Sequence, residues 1–141
     1  MENKEARLKA AFLGPHSENN DILEELIIEA LRDHFYWRRN FHLEDTPAIT
    51  QKDKIDPIFL DLTAKLRQEL FNILSELKKG VPFYSLRYLG HINSDLLIAA
   101  IVGYFSAMLY NQNNVVVESS PITIEKELEY IDALARMVGF N

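Results

Sequence analysis

The chain has 141 residues, of which 48% are hydrophobic and 26% charged, a globular balance that argues against a disordered tract. A formal charge of −6 with a pI near 5.2 repels phosphate backbones and argues against nucleic-acid binding. Cysteine is absent, so there is no disulfide framework and no thiolate metal site.

A chain of this size makes one domain and buries roughly 68% of its unfolded surface if it folds compactly. Met1 to Ala10 is charged rather than a basic-then-apolar leader. The first predicted helix follows Asp21, a candidate cap with Glu24 three residues on. Leu23, Leu26, Ile27, Ala30, Leu31 and Phe35 recur at helical spacing, and the pattern carries to about Asn40. Leu43 to Lys54 is polar, contains Pro47 and reads as a loop. A second helix starts at Asp56-Pro57, a cap followed by proline at the first helical position. Its stripe runs Phe59, Leu62, Leu66, Leu70, Ile73, Leu74 and Leu77, and Lys78, Lys79 and Gly80 end it.

Val81 to Gly90, with Pro82, Phe83, Tyr84 and Tyr88, reads as an extended connector. A third helix is expected from about Asp95 to Tyr110. It is apolar nearly all round, which implies burial on every side. Its apolar run, Leu96 to Tyr110, has 15 residues and includes Gly103 and Ser106. A membrane span needs about 20, so the chain is expected to be soluble and cytoplasmic. Asn111 to Ser119 is a loop whose Val115-Val116-Val117 run suggests a strand-like piece. A fourth helix follows Ser120-Pro121, runs to about Val138 and stops at Gly139. The sum is an all-α fold of four main helices. The first two can cover only part of the third; a second copy or an absent domain would cover the rest.

Candidate chemistry is sparse. His34, His42, Glu44 and Asp45 lack the paired-helix spacing of a metal site. No serine, cysteine or threonine nucleophile has a base at recognisable spacing. Phe35, Tyr36, Trp37 and Phe41, with Arg38 and Arg39, suggest a docking surface on an acidic chain rather than a platform for bases.

Several segments in order carry a resemblance. They are FLGPHSENNDILEELIIEALRDHFYWRRNFHLED, then LRYLGHINSD, then LLIAAIVGYFSAMLYNQNN, then SSPITIEKELEYIDALARMVGF. This order resembles the N-terminal region of the group II pyridoxal-phosphate-dependent amino-acid decarboxylases, which act on aromatic amino acids, tyrosine or glutamate. The resemblance implies the N-terminal part of a fold-type-I enzyme lacking the large α/β cofactor domain. Residues 1–119 would be a helical dimerisation and pocket-lining segment, and residues 120–141 the first helix of the large domain. His91, Ile92, Asn93, Ser94, Asn113 and Val115 would line the substrate pocket. His91 reads equally as a turn residue, and Asn93 and Ser94 equally as caps of the third helix.

The family needs a lysine for a Schiff base, following a histidine. No lysine here follows a histidine. The chain alone is therefore expected to bind no pyridoxal phosphate and to be inactive. The implied partners are a second copy or the missing cofactor domain, with an amino-acid substrate in the full enzyme. The competing reading is a free-standing helical interaction protein without catalytic activity.

Overall fold

The computed structural model describes residues 2–90 and 94–140. Among these residues the fold is all-α, with no strand. The helices are α1 (Glu2–Ala11), α2 (Asn20–Phe41), α3 (Gln51–Lys54), α4 (Pro57–Leu77), α5 (Ile98–Tyr110) and α6 (Pro121–Met137), with a 3-10 turn at Val117–Ser119. The four main predicted helices correspond to α2, α4, α5 and α6.

The centre of the fold is the pairing of α2 with α5. At one end Phe12, which follows α1 and is tied to the start of α2 through Asn19, forms an antiparallel bridge with Leu97 at the start of α5. At the other end His34 and Trp37 of α2 meet Tyr110, the last residue of α5. The two helices therefore run side by side in the same direction. Parallel neighbours need a long return path, and residues 42–97 supply it.

Asp95 fastens the near end. Its carboxylate accepts from the Gly14 N–H at 3.0 Å and from the Leu96 N–H at 2.9 Å. Leu97 keeps extended backbone for the bridge to Phe12, so α5 begins at Ile98 rather than near Asp95. Ser94 stands too far ahead to cap the helix; its hydroxyl donates to the Asp95 carbonyl at 3.3 Å. The start of α2 also differs from expectation. The Asn19 side-chain amide donates to the carbonyls of Lys9 and Phe12 at 2.8 and 2.7 Å, closing the end of α1. Asn19 is then the residue before the first turn of α2, and Asp21 lies inside that turn. There its charge still favours the positive helix end.

Local signals set α4 and α6 as the sequence suggests. Asp56 accepts from the Ile58 N–H at 2.8 Å ahead of Pro57. Gly139 takes φ +76°. Its N–H reaches the Arg136 carbonyl at 3.2 Å, and the Phe140 N–H reaches that of Ala135 at 2.8 Å. This is a Schellman stop that needs the left-handed backbone glycine allows. The loop after α2 holds the short α3, closed by a capping box between Thr50 and Asp53. Between α4 and α5 the chain winds through tight turns, closed by Ser85 N–H to the Pro82 carbonyl and Tyr88 N–H to that of Ser85.

The valine run does not form a strand. Val116 is extended, but Val117 enters the 3-10 turn, and among the described residues no segment pairs with it as a strand. β-branched side chains favour a pleated surface only where one exists.

The molecule is open. Its accessible surface is 13030 Å², whereas a compact monomer of this mass exposes roughly 7500 Å². Ile98 and His34 are buried between α2 and α5, each 4% exposed. The far face of α5 is bare, with Tyr104 75% exposed, so this chain covers one side of a helix that is apolar all round. α4 has no buried residue, and its chief helix neighbour is the four-residue α3. Leu62, Leu66, Leu70, Ile73 and Leu77 are all exposed.

Candidate functional site

A cleft of about 990 Å³ opens between the end of α5 and the start of α6. Ser106, Ala107 and Tyr110 form one wall, Asn111 to Asn114 the floor, and Pro121, Ile122 and Thr123 the other wall. Asn111 ends α5 in the left-handed conformation, φ 47°, which turns the loop across the helix end. Asparagine tolerates this backbone better than most residues.

The loop is tied down at each step. The buried Ser120 hydroxyl donates to the Gln112 side-chain carbonyl at 3.3 Å. The Ser119 hydroxyl donates to the Asn113 main-chain carbonyl at 2.6 Å. The Asn113 side chain accepts from the Val115 N–H at 3.2 Å. Thr123 donates from its hydroxyl to the Asn114 side-chain carbonyl at 2.5 Å, and the Asn114 amide donates to Glu127 at 3.0 Å.

Of the residues expected to line a pocket, His91, Ile92 and Asn93 lie outside the described residues. Ser94 is exposed beside a second, smaller hollow formed with Val81, Phe83, Tyr84, Asp95 and Leu96. Asn113 lies in the large cleft. Val115 follows it and is 79% exposed. Ser94 precedes α5 and Asn113 follows it. Thirteen helical residues separate the two regions, about 20 Å at 1.5 Å per residue. One copy of the chain therefore does not bring Ser94 together with Asn113.

Gln112, Asn114 and Thr123, which help organise the cleft, were not singled out in the sequence, and Ser120 was read only as the start of the fourth helix. The available signal was an unbroken amide run, Asn111 to Asn114, facing hydroxyl residues across a short loop.

Other groups behave as structure. His34 stacks edge-on to Tyr110 with ring centroids 4.8 Å apart, and its Nδ1 has no hydrogen-bond partner. His42 Nδ1 lies 3.2 Å from Glu44 on the surface. Among the described residues no three His, Cys, Asp or Glu side chains gather to hold a metal. Phe35, Tyr36 and Phe41 are exposed at the end of α2, while Trp37 leans on Phe41 and Tyr110.

The lysines do not fit a Schiff base to pyridoxal phosphate. All eight are exposed, and Lys9, Lys65, Lys79 and Lys126 are paired with Glu5, Asp61, Glu76 and Glu129. A hydrogen bond donated to the Glu129 carboxylate, then the charge of that carboxylate, holds Lys126 above the usual lysine value. Such an amine needs the opposite shift to become a nucleophile.

No protein-family model matches the chain. Curated relatives do. An L-tyrosine decarboxylase of Levilactobacillus brevis is 34% identical over 140 residues, which is 98% of this chain and 22% of that protein. Over nearly its whole length the chain is similar to the N-terminal region of the L-tyrosine decarboxylases. A second L-tyrosine decarboxylase, from Enterococcus faecalis, is 32% identical over 139 residues and 22% of its length. A third, from Enterococcus faecium, is 35% identical over 128 residues, 89% of this chain and 21% of the relative. The chain thus spans about a fifth of the length of the tyrosine decarboxylases it matches. The similarity runs through α2, α4, α5 and α6 together, so the open faces described above belong to a segment that makes up about a fifth of each relative.

Proposed function

We infer that the chain serves as the N-terminal clasp and pocket-lining portion of a pyridoxal-phosphate-dependent amino-acid decarboxylase, with L-tyrosine as the substrate. The reaction removes the α-carboxyl group as CO2 and leaves the amine, the bound cofactor acting as electron sink. The Schiff-base lysine and the phosphate cradle belong to the part of the enzyme that lies beyond this region. The single observation that carries the reading is the 34% identity over 140 residues with the Levilactobacillus brevis enzyme.

In this reading residues 1–119 form the helical segment and residues 120–141 the first helix of the cofactor domain. The bare stripe of α4 and the outer face of α5 meet a second copy and the cofactor domain. His91, Ile92, Asn93 and Ser94 border one substrate pocket, and Asn113 and Val115 border another. The separation of about 20 Å across α5 supports that division, because two pockets in a dimer can use both ends of one helix. The enzyme works in the cytoplasm as a homodimer.

The test is a chimera in which this chain replaces the N-terminal fifth of the Levilactobacillus brevis enzyme. Supplied with pyridoxal phosphate, it should release the amine from L-tyrosine and sediment as a dimer. A folded chimera that binds the cofactor but leaves tyrosine intact would falsify the reading.

A further inference from the structure

Residues 113–117 are ordered without a core of their own. Val115, Val116 and Val117 are all exposed, so burial does not hold this stretch in place. Fixing a backbone costs conformational entropy at every residue, and something must offset it. The bonds that do so converge from α6. The Thr123 hydroxyl, one turn into the helix, donates to the Asn114 carbonyl oxygen at 2.5 Å. The other end of the same amide donates to Glu127, one further turn along, at 3.0 Å. Thr123 and Glu127 are spaced i, i+4 and so share a face of α6.

The polarity of the relay fixes its sense. A hydroxyl gives, an amide receives and gives, and a carboxylate receives. The side-chain amide at 114 does both from its two ends, whereas a carboxylate there has no proton to give and would oppose Glu127.

We propose that Thr123, Asn114 and Glu127 are positioning residues: through this relay α6 sets where Asn113 and Val115 stand. The functional half rests on the reading that those two residues border a substrate pocket. Asn113 and Val115 are the immediate neighbours of Asn114 in the chain, so moving the Asn114 amide moves both. The Asn113 Asx turn to Val115 and the Ser119 bond to Asn113 shape the loop internally. The relay anchors that shaped loop to the helix.

The test compares Asn114→Ala, Asn114→Asp, Thr123→Val and Thr123→Ser in the full chain by amide hydrogen exchange. Loss of the relay should speed exchange at 115–119 by about five- to tenfold, the equilibrium equivalent of one hydrogen bond. The amides of α2 and α5 should keep their protection, and Thr123→Ser should behave as the parent. Asn114→Asp should be the worst of the four. Unchanged exchange in Asn114→Ala and Thr123→Val, or failure of serine to rescue, overturns the relay.

The same variants in the tyrosine decarboxylase chimera give the second readout. KM for tyrosine should rise about fivefold, in step with the loop population lost, while kcat stays within about twofold. Faster exchange with an unchanged KM overturns the claim that the relay positions pocket residues. An inactive parent chimera would count against the proposed function, and the exchange comparison would still decide the relay.

Discussion

The pair α2–α5 and the helix α4 were built from the same kind of sequence and ended in different states. Each carries leucines and isoleucines at helical spacing. α2 and α5 bury Ile98 and His34 between them and stack Trp37 on Tyr110. α4 has a better start, with Asp56 and Pro57 in place, yet buries no residue, and Leu66 is 70% exposed. Capping and periodicity therefore decide that a helix forms, and a partner surface decides what it buries. Among the described residues α5 packs on a long helix and α4 meets chiefly the four-residue α3.

Substitutions can break that contrast, and the largest effect belongs to α5. Ile98→Ala should lower the stability of the helix pair by about 2–5 kcal/mol, read from urea unfolding followed by circular dichroism. A loss below half a kcal/mol would mean that the pair is not the core. Asp95→Ala should cost about 1–3 kcal/mol in the same measurement, because the Gly14 N–H loses a charged acceptor. Leu66→Ala should change the unfolding of the isolated chain by less than about 0.5 kcal/mol. A cost like that of Ile98→Ala would show that α4 is covered in solution.

The smallest effect is local and depends on pH. Hydrogen bonds from the Thr50 side chain, then from its backbone, hold the Asp53 carboxyl below the usual aspartate value. Because the folded value is the lower one, the capping box is fully formed above the ordinary aspartate pKa. It is lost as pH falls through the lowered value. Acidification into that range should melt α3, seen as faster exchange at Gln51–Lys54, while the α2–α5 pair is unmoved by this group. Melting of α3 on raising the pH instead would contradict the assignment.

Periodicity and turn chemistry made α2, α4, α5 and α6 legible. α1 carries no apolar stripe to announce it, and its end depends on Asn19 reaching back to Lys9 and Phe12. α3 was spelled out by Thr50 and Asp53 but lies in a stretch whose Pro47 and polarity suggested a loop. Val115 to Val117 suggested a strand because their propensity was read without a neighbouring strand to satisfy it. Ser94 could be named as a site residue by likeness to a family, but its distance from Asn113 follows from the length of α5. The Thr123–Asn114–Glu127 relay was hidden because it spans separations of 9 and 13 residues. The 3-10 turn at Val117–Ser119, which lies between them, folds that distance up.

The clamp between Gly14 and Asp95 has a consequence for how the protein is made. The two residues are 81 positions apart. At about 5–20 residues per second, a ribosome delivers the second roughly 4–16 s after the first. Through that interval the greasy side of α2 emerges with no mate, and α4 emerges ahead of α5. Nascent chains should therefore be captured by a trigger-factor-like holdase while residues 20–95 are out. Capture through α2 should weaken once Tyr110 has cleared the tunnel and α5 can pack on it.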